Sequence, residues 1–460
     1  MKLICCAILC GLSSSLIAAP PVTFSESVAP IIYEKCGSCH RPGESAPFSL
    51  TNFKEVSRWG KLIATVTQKR YMPPWHAQPA SVSYRDERRL TDAQIALIQD
   101  WVKQGMPEGD AKKTPEFPVF PKGWQLGQPD LIVKLPKSFH IPASGPDIYR
   151  NFVIPVGLAE DKWIRAIEFR PSAPKVVHHL IAYADPTGTA RTFEGSALAG
   201  FAGQANPRGT ATLALWAGGT QPHYLPEGVA RNFAKGTDLI LQEHFHPTGK
   251  EEVEQTVVGI YFAKSAPDRR IFGIQLPISF GLFAGVDIPA GENSFSVSDS
   301  FTLPVDVEAF AVSAHAHYIG KSMKLTATLP NGETRTLLWI KNWDFAWQDG
   351  YMFNDFVALP KGTRLDSVVT WDNSAANLRN PASPPVRVKW GEASNEEMGS
   401  VTLDLRPRAA SDTQAMAAAL SERARRDQAA AYERDPGLRE YVQAIGENRS
   451  PVFQAGEKRQ

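Results

Sequence analysis

The sequence predicts a multidomain chain: a small all-α module, two consecutive all-β sandwiches and a C-terminal helical tail. Three observations carry this. Residues 22–110 show helical periodicity with capped ends. Residues 130–405 break into short β-type runs separated by Pro, Gly, Asn and Asp, and residues 411–445 are rich in Ala, Arg and Glu. A length of 460 residues favours two to four domains.

Lys2, the apolar or small run Leu3–Ile17 and Ala18-Ala19 have the order of a signal peptide, expected over 1–19. That implies a periplasmic or secreted protein. The run is too short for a membrane span, and no later segment is apolar for long enough, so no membrane span is expected. In the 22–110 module, Ser25–Lys35, Phe53–Lys69 and Thr91–Gln104 are the expected helices. Residues 111–129, rich in Pro, Lys, Gly and Phe, suit a linker. The β region is long for one sandwich and is divided into 130–265 and 270–405. Its expected strands include Val176–Ala184, Asp238–Phe245, Thr256–Phe262, Glu308–Ala314 and Ser322–Leu329. The tail is 406–460.

Hydrophobic residues make up 43% and net charge is +1, so the chain is ordinary globular protein with no field to draw nucleic acid. Of five cysteines, Cys5, Cys6 and Cys10 fall in the signal. Only Cys36 and Cys39 remain, both in Cys36-Gly-Ser-Cys39-His40, so there is no disulfide framework. A Cys-x-x-Cys-His run attaches haem c: each thiol adds to a vinyl group and the histidine ligates iron. One covalent haem is expected, with His40 proximal. Met72, in Tyr71-Met72-Pro73-Pro74-Trp75, is the favoured sixth ligand, because prolines hold a loop and a thioether raises the potential. His76 and Met106 are the alternatives. Residues 22–110 resemble a small cytochrome c domain, which transfers single electrons.

Most of the other histidines come in pairs: His178-His179, His244-Phe-His246 and His315-Ala-His317. On a strand, His-x-His puts two imidazoles on one face. Adjacent histidines point apart, so His178 and His179 can share a metal only at a bulge or strand end. Imidazoles suit zinc, copper, iron or nickel; a thioether ligand would select copper.

With these motifs in view, residues 130–405 resemble the copper type II, ascorbate-dependent monooxygenases, peptidylglycine α-hydroxylating monooxygenase and dopamine β-hydroxylase. That family builds two jelly-roll sandwiches, each holding one copper. The resemblance assigns His178, His179 and His244 to the first copper. It assigns His315, His317 (before Gly320-Lys321) and Met398 (in Asn395-Glu396-Glu397-Met398) to the second, where O2 is activated. His246 is an imidazole beyond the motif. The family's eukaryotic enzymes are disulfide-rich, whereas Gly399 stands here where a Cys often follows the Met. Implied are two coppers, O2, an unidentified small-molecule or peptide substrate, and a one-electron donor (an ascorbate-like reductant or a periplasmic redox protein). The fused haem would serve as electron inlet to the first copper. The rival classes are a haem and copper electron-transfer or copper-binding protein without hydroxylase activity, and a zinc hydrolase.

Overall fold

The computed structural model describes residues 21–44, 46–195, 198–202, 211–218, 220–391 and 393–446. The expected signal peptide and its three cysteines lie outside the described residues, as does the tail beyond 446. The chain divides into two compact units. One is the chain up to Pro73 together with Arg89–Pro118; the other is Pro74–Arg88 together with Val119 onward.

The regular elements described in the first unit are helices. A π turn, Phe24–Val28, runs into α1 (Ala29–Lys35). Asn52 caps α2 (Phe53–Gln68) by accepting from Glu55 N. Thr91 and Gln94 form a reciprocal capping box on α3 (Asp92–Lys103). On α2 the buried residues Val56, Gly60, Ile63, Ala64 and Thr67 recur at helical spacing. They close on a core that includes Phe24, Ile32, Leu90, Ile98 and Trp101.

The second unit is built of sandwich-like antiparallel sheets. Its first ten strands are β1 (Leu131–Lys134), β2 (Phe139–Ile141), β3 (Ile148–Pro155), β4 (Lys162–Arg170), β5 (Val177–Asp185), β6 (Ala211–Ala217), β7 (Arg231–Phe233), β8 (Asp238–Phe245), β9 (Glu252–Glu254) and β10 (Val257–Phe262). They form sheets ordered β1-β10-β4-β7 and β3-β8-β5-β6, with β2 on β9. The core between the sheets mixes both, as in Phe152, Leu180 and Leu241 with Ile164, Val258 and Ile260. Inward residues alternate with outward ones, as sandwich strands require.

Ten more strands follow: β11 (Phe272–Leu276), β12 (Asp287–Ile288), β13 (Phe295–Thr302), β14 (Val307–Ala316), β15 (Gly320–Thr328), β16 (Thr334–Ile340), β17 (Gly350–Leu359), β18 (Arg364–Trp371), β19 (Val388–Lys389) and β20 (Gly399–Pro407). Their sheets are β11-β20-β14-β17 and β13-β18-β15-β16, with β12 on β19. The C-terminal helical region is α4 (Thr413–Arg434) and α5 (Gly437–Gly446). No described helix is long and apolar enough to cross a membrane.

One segment departs from the expected boundaries. Residues 74–88 were assigned to the helical module, but they lie along the second sandwich. Ala77 bridges Ile340, Tyr84 bridges Phe353, and Gln78 N donates to Trp339 O at 2.7 Å. The cause is local. Pro73 and Pro74 stop any helix, while Trp75, Ala77 and Tyr84 bury themselves in the core of the second sandwich. Arg88 seals the segment with a 2.5 Å ion pair to Asp349.

Candidate metal centres

β5 and β8 carry the first centre. Val177 pairs with Phe245 but His179 pairs with His244, so β5 has one extra residue, His178, at a bulge. The bulge is the condition that lets adjacent histidines share an ion. His178 Nδ1 lies 3.2 Å from His179 Nδ1, and His244 Nδ1 is 3.4 Å from His179 Nδ1. The ligand atoms of these three residues all fall within 4.8 Å of one another. The three imidazole nitrogens could hold one metal ion.

Asp147, just before β3, has no motif to betray it in the sequence. Its carboxylate accepts from His244 Nε2 at 2.8 Å and from His246 Nδ1 at 2.7 Å. Burial alone would raise Asp147, but the hydrogen bonds and charge of the two histidines outweigh it and bring the group down to about 2. His244 thereby keeps its proton on Nε2 and turns Nδ1 to the centre. His246 is largely exposed and outside the triad; it serves the carboxylate instead. Asp147→Asn is expected to lower metal affinity at this centre about 10- to 100-fold without unfolding the chain. Isothermal titration with copper checks this, and wild-type affinity would remove Asp147 from the site.

β14 and β20 carry the second centre. His315 lies opposite Ser400 and Ala316 opposite Gly399. Continuing that register sets Met398 opposite His317, on the face that His315, His317 and Ser400 share. His315 Nδ1 is engaged by Gln348 Oε1 at 2.6 Å, and His317 Nδ1 by Glu396 O at 3.0 Å. Gln348 turns His315 Nε2 the other way, while His317 has a second backbone hydrogen bond, to Ala393. Glu397 is buried against the His317–Ile319 turn. Its oxygens accept from His317 N, Ile319 N and Trp371 Nε1 at 2.8–3.0 Å, clipping Met398's neighbour to the histidine turn. Gly399 is needed because a Cβ there would meet the Trp371 ring at 2.5 Å. The indole takes the space a cysteine would fill.

Burial lowers all five imidazoles, His178 and His315 to about 4 and His317 to about 3. They are neutral near pH 7, the form that binds metal. Phe345 (4% exposed) joins the two sets: its ring lies 5.3 Å from His178, stacked, and 5.6 Å from His317, edge-on. Tyr149 stacks on His244 at 4.1 Å and its hydroxyl meets Ser394 Oγ at 2.5 Å, beside the Met398 turn. His179, His315, His317 and Met398 line one cavity of ≈ 2490 Å³. His140 is exposed on β2 and His223 faces Asp86 at 3.4 Å, apart from both donor sets.

In the helical unit, Cys36 caps α1, and the N–H groups of Cys39 and His40 both donate to Cys36 O, at 3.2 and 2.9 Å. Gly37 is required, since a Cβ would sit 2.5 Å from Tyr33 O. His40 Nδ1 meets Phe48 O at 3.0 Å, freeing Nε2. Burial, with Cys39 beside it, pushes the Cys36 thiol up to about 12; it is no ready metal thiolate. Met72 is partly buried in the loop after α2. Met106 packs against Gly60 and Trp101, where a Cβ on Gly60 would meet its sulfur. His76 belongs to the other unit, 6.4 Å from Trp343.

No protein-family model matches the chain, and no curated protein does. Among solved structures, PNGF-II aligns at 11% identity and TM-score 0.27, over 60% of this chain and 65% of that one. PNGase F, a glycosylasparaginase from Flavobacterium meningosepticum, aligns at 10% and 0.24, over 61% and 97%. The major capsid protein of bacteriophage PM2 aligns at 8% and 0.23, over 57% and 97%. Scores this low transfer nothing to this chain.

Proposed function

We propose that this chain is an exported copper-dependent monooxygenase, hydroxylating a C–H bond with O2 and drawing electrons through its own c-type haem. One observation supports this above all. Three Nδ1 atoms meet at the β5 bulge, and His179 of that set lines the same cavity as His315, His317 and Met398. The donor chemistry fits copper: all-nitrogen at His178, His179 and His244, nitrogen with sulfur at His315, His317 and Met398. On this reading the helical unit, which excludes residues 74–88, is a cytochrome c domain and the β unit comprises two jelly-roll sandwiches.

Copper at the second centre would supply O2 activation, and haem c would supply single electrons. The chain's residues do the rest. Asp147 and Gln348 fix the tautomers of His244 and His315. Glu397 holds Met398 in register with His317. Phe345 and Tyr149 form part of the cavity wall, Phe345 against histidines of both donor sets and Tyr149 stacked on His244. His40, turned by Phe48 O, would face the iron beside Cys36 and Cys39, with Met72 as sixth ligand.

The test is metal stoichiometry in haem-matured protein, with O2 uptake under ascorbate. Two coppers per chain are expected. His178→Ala or His244→Ala should remove one, and His315→Ala or His317→Ala the other. Stoichiometric zinc as isolated, or loss of both ions from one substitution, would overturn the two-copper assignment.

A further inference from the structure

We infer that the C-terminal helices form part of the second centre: they grip the anchors of segment Ile278–Ala284 and so hold the Phe280 ring against His315, where it limits which ligands enter. This rests on His315, His317 and Met398 being a metal site.

Phe280 is placed against its own preferences. It and Ser279 have φ of +51° and +49°, a left-handed conformation that non-glycine residues seldom adopt. Its ring is 37% exposed, so burial does not account for the strain. It faces the cavity and meets the His315 ring edge-on at 5.3 Å. Phe345 meets His317 in the same manner, at 5.6 Å and 79°. Phe280 and Phe345, both lining the cavity, therefore each set a phenyl ring against one of the two imidazoles.

The surroundings over-determine the segment. Phe280 N donates to Gln275 Oε1 at 3.4 Å, and Phe280 O accepts from Trp390 Nε1 at 3.1 Å. Each anchor is in turn held by the tail. Arg423 of α4, itself nearly buried, donates to Gln275 O at 2.9 Å. Arg434 donates to Phe283 O at 2.6 Å, and Tyr432 lies edge-on to the Phe283 ring. Tyr441 of α5 packs edge-on against Trp390, and the neighbouring Val442 lines the cavity. A tail serving only to cover the sandwich would have no reason to converge on the two ends of one strained turn.

The test uses the full chain with Cu(II) at the second centre, in a His244→Ala background that empties the first. Two probes compete for the ion: azide, small and linear, and imidazole, a ring. Phe280→Ala should tighten imidazole at least about tenfold, the worth of one group removed from a pocket wall, and leave azide unchanged. Arg434→Gln with Tyr441→Ala should move imidazole the same way, whereas Tyr441→Phe, which keeps the ring, should match the parent. Parental imidazole affinity in the Arg434/Tyr441 variant, with copper bound normally, overturns the clamp alone. A parent chain that takes no copper at His315 and His317 overturns the metal assignment as well. Equal tightening of azide and imidazole shows a general loosening of the site and also counts against the clamp.

Discussion

A chain carrying Cys36→Ala and Cys39→Ala together is expected to hold no covalent haem. Each single variant should keep one thioether, so its haem resists acid–acetone extraction but with a shifted absorption band. The grounds are geometric. Cys36 and Cys39 are the two cysteines outside the expected signal, on one turn that also brings His40 round. As residues, Cys36 and Cys39 are both only partly buried. Cys36 packs only at the edge of the core of Phe24, Ile32 and Trp101, and large stability losses arise from fully buried cavities rather than from such edge sites. The β unit is a separate compact unit, so copper uptake should persist and serve as the folding control. Covalent haem surviving in the double variant would overturn the attachment motif outright.

Much of this was legible from residue periodicity. Asp238–Phe245 matches its strand at both ends, because alternation and β-branched content are local properties. The Thr91 cap and its glutamine three residues on were readable for the same reason. The His178-His179 pair carried a conditional expectation, met by the register shift that the sequence could not show. What stayed hidden depends on chain reversal. Asp147 is 97 residues from His244 and Gln348 33 from His315, and a lone Asp or Gln has no spacing to mark it. Phe345 has no motif to mark it, yet its ring lies against histidines from both donor sets. Residues 74–88 were misassigned because sequence adjacency to the helices outweighed a cue in Trp75, Ala77 and Tyr84, whose apolar spacing suits the sandwich core they join.

Met398→Ile should abolish hydroxylation while leaving the fold, the haem and the first copper in place. Met398 is 8% exposed and lines the cavity, with Glu397 clipped to the backbone of His317 and Ile319 on one side. Gly399 is pressed on Trp371 on the other. That frame is made by neighbours and does not use the sulfur, so isoleucine of similar bulk should cost no more than about 1.5 kcal/mol. What it removes is the soft donor. Two imidazoles alone bind Cu(II) well but stabilise Cu(I) less than a set with a thioether, and Cu(I) is the form that must meet O2. Cu(I) affinity at the second centre should therefore fall more than Cu(II) affinity, and product formation should fall with it. A Met398 that merely packs would give the opposite pattern, a small shift in melting temperature with turnover and both affinities intact. Measuring Cu(I) and Cu(II) affinity and turnover in the same preparation separates the two. Wild-type values throughout would leave His315 and His317 without a copper-selective partner and move the assignment to a metal protein that does not hydroxylate.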